Sequence, residues 1–295
     1  MKFLGKACAG SISLLLACLV TGCASAPDAP AEFSKDQEIH VLTREEGSGT
    51  RSAFGELTGL VEKQADGSEK DSTTQTASVT NSTSVMLTTV KDDPAAVGYI
   101  SLGSLNDSVK PLKIDGSPAD AASIKDGSYK ISRPFNIVVK EELSAPAKDF
   151  MDFILSNQGQ KVVADNGCIP LDTTATWTPA DVSGKVVVSG SSSVTPVMEK
   201  LAEAYKEKQP NVQVEIQQSD SSSGIQDAAD GVSDIGMASR DLKDSELTEG
   251  VKPVVIAMDG IAVIVNPSNT AEDLSTEQVK EIFSGEKTLW SDVLG

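Results

Sequence analysis

Thr43-Arg44-Glu45-Glu46-Gly47-Ser48-Gly49-Thr50-Arg51 lies between a short apolar run at 39–42 and a segment with Phe54, Leu57 and Val61 at helical spacing. The pattern predicts strand, tight turn and helix, with glycines where the backbone bends and hydroxyls where the helix begins. A helix N-terminus presents unpaired N–H groups and a partial positive charge, so it favours anions. Arg44 adds a planar fork of donors matched to two oxygens of a phosphate or carboxylate. The stretch reads as an anion cradle.

Two further turns share the design. Ser189-Gly190-Ser191-Ser192-Ser193-Val194-Thr195-Pro196 follows a strand pattern at 185–188 and opens a helix carrying Met198, Leu201, Ala202 and Tyr205. Ser219-Asp220-Ser221-Ser222-Ser223-Gly224 follows another at 212–217, with Ile225, Ala228, Ala229 and Val232 behind it. Any one of these turns is explained by ordinary N-capping. Three of one kind exceed what capping requires and point to a shared anion.

The chain has 295 residues, enough for one large or two medium domains, and 39% hydrophobic residues with few aromatics, as in an α/β protein. Lys2 and Lys6 precede an apolar run at 12–20 that is too short to span a bilayer. Val20-Thr21-Gly22-Cys23 then matches a lipobox, so residues 1–22 read as a lipoprotein signal peptide, Cys23 as the lipidated residue and 23–37 as a tether. The alternative is a plain secretory signal that ends near a cysteine. Of the four cysteines, only Cys168 belongs to the fold, so no internal disulfide can form. A formal charge of −18 argues against nucleic acid, since no basic stripe exists to release counterions. An anion can still bind if local dipoles, hydroxyls and an arginine hold it at short range.

Along the chain, residues 64–76 read as loop. Asn81-Ser82-Thr83-Ser84 caps a short helix to about 91, and 97–102 reads as a strand. Residues 109–114 and 129–140 are further strands, the latter with Pro134 near an edge or a crossing point. Ser144 opens a helix bearing Phe150, Phe153 and Ile154, and 172–183 resembles a linker. Residues 254–265 form an apolar run broken by Asp259-Gly260, read as two buried strand segments. Ser275 with Gln278 makes a capping box. Strands alternating with helices predict parallel sheets covered on both faces.

Gly190-Ser191-Ser192-Ser193-Val194-Thr195-Pro196, Ile235-Gly236-Met237-Ala238-Ser239-Arg240, the run from Asp259 to Pro267 and the Arg44 stretch together resemble the phosphate-binding lipoprotein of bacterial ABC phosphate importers. The resemblance covers nearly the whole chain after the tether. It implies a two-lobed periplasmic-binding-protein type 2 fold with a central cleft. In the family the Gly190 segment comes first, so here the order implies a circular permutation, with a spliced duplicate as the competing explanation. One lobe is expected to hold 38–115 with 268–295, the other 116–267.

Carried over residue by residue, Arg44, Ser48, Gly49 and Thr50 would bind phosphate from one lobe and Ser192, Ser193, Ser221 and Ser239 from the other. Some family members have an aspartate near position 239 that accepts the phosphate proton; Ser239 stands here, beside Arg240 and Asp241. Glu46, Asp220 and Asp241 are the remaining carboxylate candidates, Glu46 alternatively orienting Arg44. The resemblance implies a monomeric, extracytoplasmic, membrane-anchored partner of an ABC permease, with no cofactor or metal and no enzymatic activity. Sulfate, molybdate or phosphonate binding, or phosphate sensing without transport, are the other readings. A hydrolase is disfavoured because Glu46-Gly47-Ser48-Gly49 lacks the nucleophile elbow and His40 is the sole histidine. No P-loop is present.

Overall fold

The computed structural model describes residues 32–64 and 68–294. The expected signal peptide, Cys23 and most of the tether lie outside these residues.

Strand β1 (His40–Arg44) runs into helix α1 (Gly49–Thr58), whose N-cap Ser48 accepts the Arg51 N–H. Gly59 ends the helix at a φ of 73°, a left-handed position that glycine adopts without strain. Val61, expected on the helix, therefore falls beyond the stop. It begins a short hairpin, Val61–Lys63 with Glu69–Asp71, where loop was expected. Ala53 and Phe54 carry the buried helix face, while Leu57 is 41% exposed. Phe54 stacks on Tyr99 at 4.0 Å and meets Phe283 edge-on, which fixes the helix against its sheet.

The remaining strands of the main sheet are β2 (Ser78–Thr80), β3 (Ala96–Ser101), β4 (Lys110–Pro111), β5 (Ser132–Lys140), β6 (Gly184–Ser191), β7 (Val212–Ser219), β8 (Ile235–Ala238) and β9 (Val251–Val265). Between them lie α2 (Thr83–Asp92), α3 (Ala145–Leu155), α4 (Asn157–Asp165), α5 (Thr195–Lys208) and α6 (Ser221–Asp230), with α7 (Thr276–Ser284) after β9. The sheet order is β7-β6-β8-β5-β9-β3-β1-β2, with β4 also on β9. It reads as one pattern used twice. β6 lies between parallel β7 and β8, followed by antiparallel β5; β1 lies between parallel β2 and β3, followed by antiparallel β9.

β9 joins the halves. Its first part, to Gly260, pairs with β5, and Ile261–Val265 pairs with β3. The two segments expected around Asp259-Gly260 are thus one continuous strand that changes partner there, because both residues keep register opposite Arg133 and Ser132. Pro134, opposite Met258, sits at this crossing and not on an edge.

Four apolar clusters follow among the described residues, two of them large. Phe54, Tyr99, Phe283 and Trp290 anchor one; Phe135, Phe150, Met198 and Tyr205 anchor the other. Ile124, Tyr129, Ile131 and Ile261 pack in the first, so the lobe expected at 116–267 gives up both ends. The change falls near Ser132 and Gly260, where β5 and β9 cross. The first and last described stretches meet: Ile39 N–H donates to Thr288 O at 2.7 Å and Trp290 N–H to Gln37 O at 3.2 Å.

Candidate functional site

β1, β2, β6, β7 and β8 all end at one cleft between the lobes, and α1, α2, α5 and α6 begin there. The carboxyl ends of parallel strands are where α/β sheets hold ligands. Each following helix aims its unpaired N–H groups into that gap.

The side chains meet across it. Arg44 Nη2 donates to Ser192 Oγ at 3.0 Å, and the Thr50 and Ser193 hydroxyls share a hydrogen bond of 2.7 Å. Ser191 Oγ donates to Ser239 Oγ at 2.9 Å, and Ser221 Oγ accepts the Ser239 N–H at 3.1 Å. A Cβ at Gly49 would collide with Ser221 Oγ and Ser239 Oγ, so only glycine lets the two helix starts approach. The Ser222 N–H donates to Gly47 O at 3.2 Å, a backbone tie between lobes. Seven of the eight expected anion ligands thus gather in one buried cluster. Ser48 is adjacent, but its hydroxyl caps α1.

Arg44 is 1% exposed. Glu45 takes its Nε at 2.8 Å and its Nη2 at 2.7 Å, and its Nη1 is buried without a partner. A buried guanidinium with one open nitrogen is a donor aimed at an acceptor. Behind it, Tyr99 OH meets Thr43 Oγ1 at 2.8 Å and accepts the Arg44 N–H, and burial pushes its phenol pKa up. Arg240 holds the opposite wall, paired to both Glu246 oxygens at 2.7 Å and donating to Ser222 Oγ. Burial raises the Glu246 pKa, but the bonds from Arg240 and the Lys243 N–H outweigh it and leave it lowered.

The carboxylate expectations change. Glu46 is exposed and makes no bond to Arg44; Glu45 orients it, because the turn closed by Ser48 N–H to Glu45 O folds that side chain back. Asp220 caps α6, with one oxygen on the Ser223 N–H at 2.9 Å and the other on the Ser223 hydroxyl at 2.7 Å. Asp241 is exposed, on a separate cavity of about 650 Å³ between α1 and residues 240–245.

Sequence reasoning missed Thr83. Its hydroxyl lies 3.4 Å from Ser192 Oγ and 3.5 Å from Ser193 Oγ, buried at the start of α2. Its signal was the same as elsewhere, a hydroxyl run opening a helix after a strand. No group of three or more His, Cys, Asp or Glu among the described residues is placed to hold a metal, and no helix among them is long and apolar enough to cross a membrane.

Two lobes joined by crossing strands, with hydroxyls and one arginine converging between them, define a type 2 periplasmic-binding-protein fold. The PBP superfamily domain matches residues 27–158 and 174–295, and the chain belongs to that family. It is 58% identical over 276 residues, 93% of each chain, to a protein named phosphate-binding protein PstS 2 from Streptococcus agalactiae. A phosphate-binding protein PstS from Bacillus subtilis is 32% identical over 139 residues, 46% of this chain and 43% of its own. The crystal structure of a phosphate-binding protein of a phosphate ABC transporter from Streptococcus pneumoniae superposes with a TM-score of 0.69 at 46% identity, covering 87% of this chain and 99% of that one.

Proposed function

We propose that this chain captures inorganic phosphate between its lobes and delivers it to an ABC permease, acting as a binding protein and not as an enzyme. The observation that carries this is the cross-cleft contact of Arg44 with Ser192, beside that of Thr50 with Ser193. A dehydrated oxyanion needs many donors at once, and four helix starts, their hydroxyls and one guanidinium supply them. Phosphate ligands on this reading are Arg44, Gly49, Thr50, Thr83, Ser192, Ser193, Ser221 and Ser239, with Ser48 shaping the turn. Because they come from both lobes, binding favours the closed form, the one offered to the permease. The named relatives are consistent with this substrate.

The lipobox supports an extracytoplasmic protein anchored through Cys23. The circular permutation belongs to the proposal. It is supported by the paired first and last described stretches and by β5, the antiparallel strand of its lobe, which precedes β6, β7 and β8 in the chain. A half-length match to the Bacillus protein beside a full-length one to the streptococcal protein fits the same idea.

One observation favours a different tetrahedral oxyanion as the second reading: Glu46 and Asp241 are exposed, and both Asp220 oxygens are engaged by Ser223. Discrimination would then rest on hydroxyls, which accept the proton of hydrogen phosphate as well as donate. Calorimetry with both anions tests this. Phosphate is expected to bind at least about tenfold more tightly than sulfate, a difference of about 1.4 kcal/mol. Equal affinities favour the second reading.

A further inference from the structure

We propose that Gly47 is a positioning residue for anion capture: with Asp220 and Ser222 of the facing lobe it forms a latch, outside the anion shell, that holds the lobes together. The inference rests on the phosphate reading given above and adds what retains the anion once it is bound.

Gly47 lies in the turn from β1 to α1, which the Ser48 N–H closes by donating to Glu45 O at 3.0 Å. It is not among the glycines with a positive φ, so the turn itself would accept an alanine there. The demand for glycine comes from across the cleft. A Cβ at Gly47 would lie 2.2 Å from Asp220 Oδ1 and 2.5 Å from Asp220 Cγ. That carboxylate is not free to swing aside. One oxygen accepts the Ser223 N–H at 2.9 Å and the other the Ser223 hydroxyl at 2.7 Å, and the first of these bonds caps α6. Beside it, the Ser222 N–H reaches Gly47 O at 3.2 Å. Ser222 is backed in turn by Arg240, whose Nη2 donates to its hydroxyl at 3.0 Å while Glu246 holds both terminal nitrogens at 2.7 Å.

None of these groups is a proposed phosphate ligand, yet the Gly47 contacts join one lobe to the other. Parting the lobes breaks the 3.2 Å bond and lifts the start of α6 off Gly47. Contacts made in the closed form alone shift the open–closed equilibrium toward it. They slow release of the anion, while its encounter with the open form proceeds as before. A side chain at position 47 is then a wedge: it either strips the α6 cap or keeps the lobes apart. The pinned carboxylate and the backbone bond beside it favour the second outcome.

The test combines calorimetry of inorganic phosphate with release of radiolabelled phosphate chased by unlabelled phosphate. It uses the full chain in detergent, as wild type, Gly47→Ala, Asp220→Ala and the double variant, each also melted without phosphate. Gly47→Ala is expected to weaken phosphate by at least about tenfold, with release faster by the same factor and association within about twofold of wild type. Its ligand-free melting temperature stays at the wild-type value, which a merely structural role for Gly47 would lower. Against Asp220→Ala, which lacks the atoms the new Cβ would meet, the same substitution costs less than about threefold. The proposal is overturned if Gly47→Ala binds within about twofold of wild type, if the loss lies in association, or if it is as large in the Asp220→Ala background. Should Gly47→Ala not fold, the double variant beside Asp220→Ala decides: affinities within about threefold support the proposal, and a gap of about tenfold rejects it. A wild type that gives no heat with phosphate would overturn the phosphate reading and this inference with it. A wild type that binds, beside a Gly47→Ala variant that binds equally, overturns this inference alone.

Discussion

Arg44 is held from several sides before any anion arrives. Glu45 fixes two of its nitrogens, Ser192 meets it across the cleft, and Arg51 Nη1 donates to its carbonyl at 2.9 Å. A guanidinium oriented this way loses little freedom on binding. Thr83 tests how far the shell extends. Thr83→Val removes a buried hydroxyl while keeping the branched shape, and should weaken phosphate by about 1 kcal/mol in calorimetry; an unchanged dissociation constant would place Thr83 outside the shell. The legibility of this shell was uneven for a physical reason. Hydroxyls and glycines after a strand announce a helix start directly, so the three anion-favouring turns were legible from residue types, while seven of the eight proposed ligands were named through the family resemblance. Which of two adjacent glutamates turns back onto Arg44 depends on the torsions of a four-residue turn, and Glu45 and Glu46 are chemically alike. Thr83 escaped because β2 is three residues long and mostly exposed, too weak a pattern to mark the helix behind it as part of the site.

At the level of elements, the segment joining α4 to β6 is better fixed than its Thr, Pro and Gly content suggests. The Asp149 carboxylate in α3 accepts from Trp177 Nε1 at 3.0 Å, Tyr205 OH at 2.7 Å, Gln209 Nε2 at 3.3 Å and the Ala180 N–H at 3.3 Å. Gln158 adds two bonds to the Trp177 backbone. Removing the acceptor strands buried donors, so Asp149→Ala should cost about 2–4 kcal/mol of stability in urea unfolding. Phosphate affinity should stay within about twofold, since the network lies in the core of one lobe, away from the cleft. A variant as stable as wild type would show that the connection is not anchored there. These bonds link residues far apart in sequence, so composition alone read the segment as a linker. The same limit applies to β9. Asp259-Gly260 breaks the apolar pattern locally, but pairing with β5 and then β3 carries the strand through. The end of α1 at Gly59 was readable, and extending the helix to Val61 overlooked that stop signal.

For the whole molecule, the arrangement depends on ends that are far apart in sequence. Residues 35–39 meet 288–291, and the lobe containing β1 and α7 closes only when both are made. Such non-local pairing slows folding more than it weakens the folded state. Because the described ends are adjacent and residues 166–183 join the part of the chain that ends in α4 to the part that begins with β6, a rearranged chain should fold. A chain opened within that connection, with 294 joined to 37 by a short flexible link, is predicted to bind phosphate as the natural order does. Loss of binding with retained folding would argue against one site shared by both stretches. The net charge of −18 is compatible with an anion ligand because the contacts are short and buried, where solvent and salt screen little. The most direct test of the central claim is the calorimetric dissociation constant for phosphate of Arg44→Ala beside wild type. Binding weakened by about 2–5 kcal/mol is the predicted result for truncating a buried charge partner. An unchanged constant would mean that the anion lies elsewhere and that the contacts of Arg44 serve folding alone.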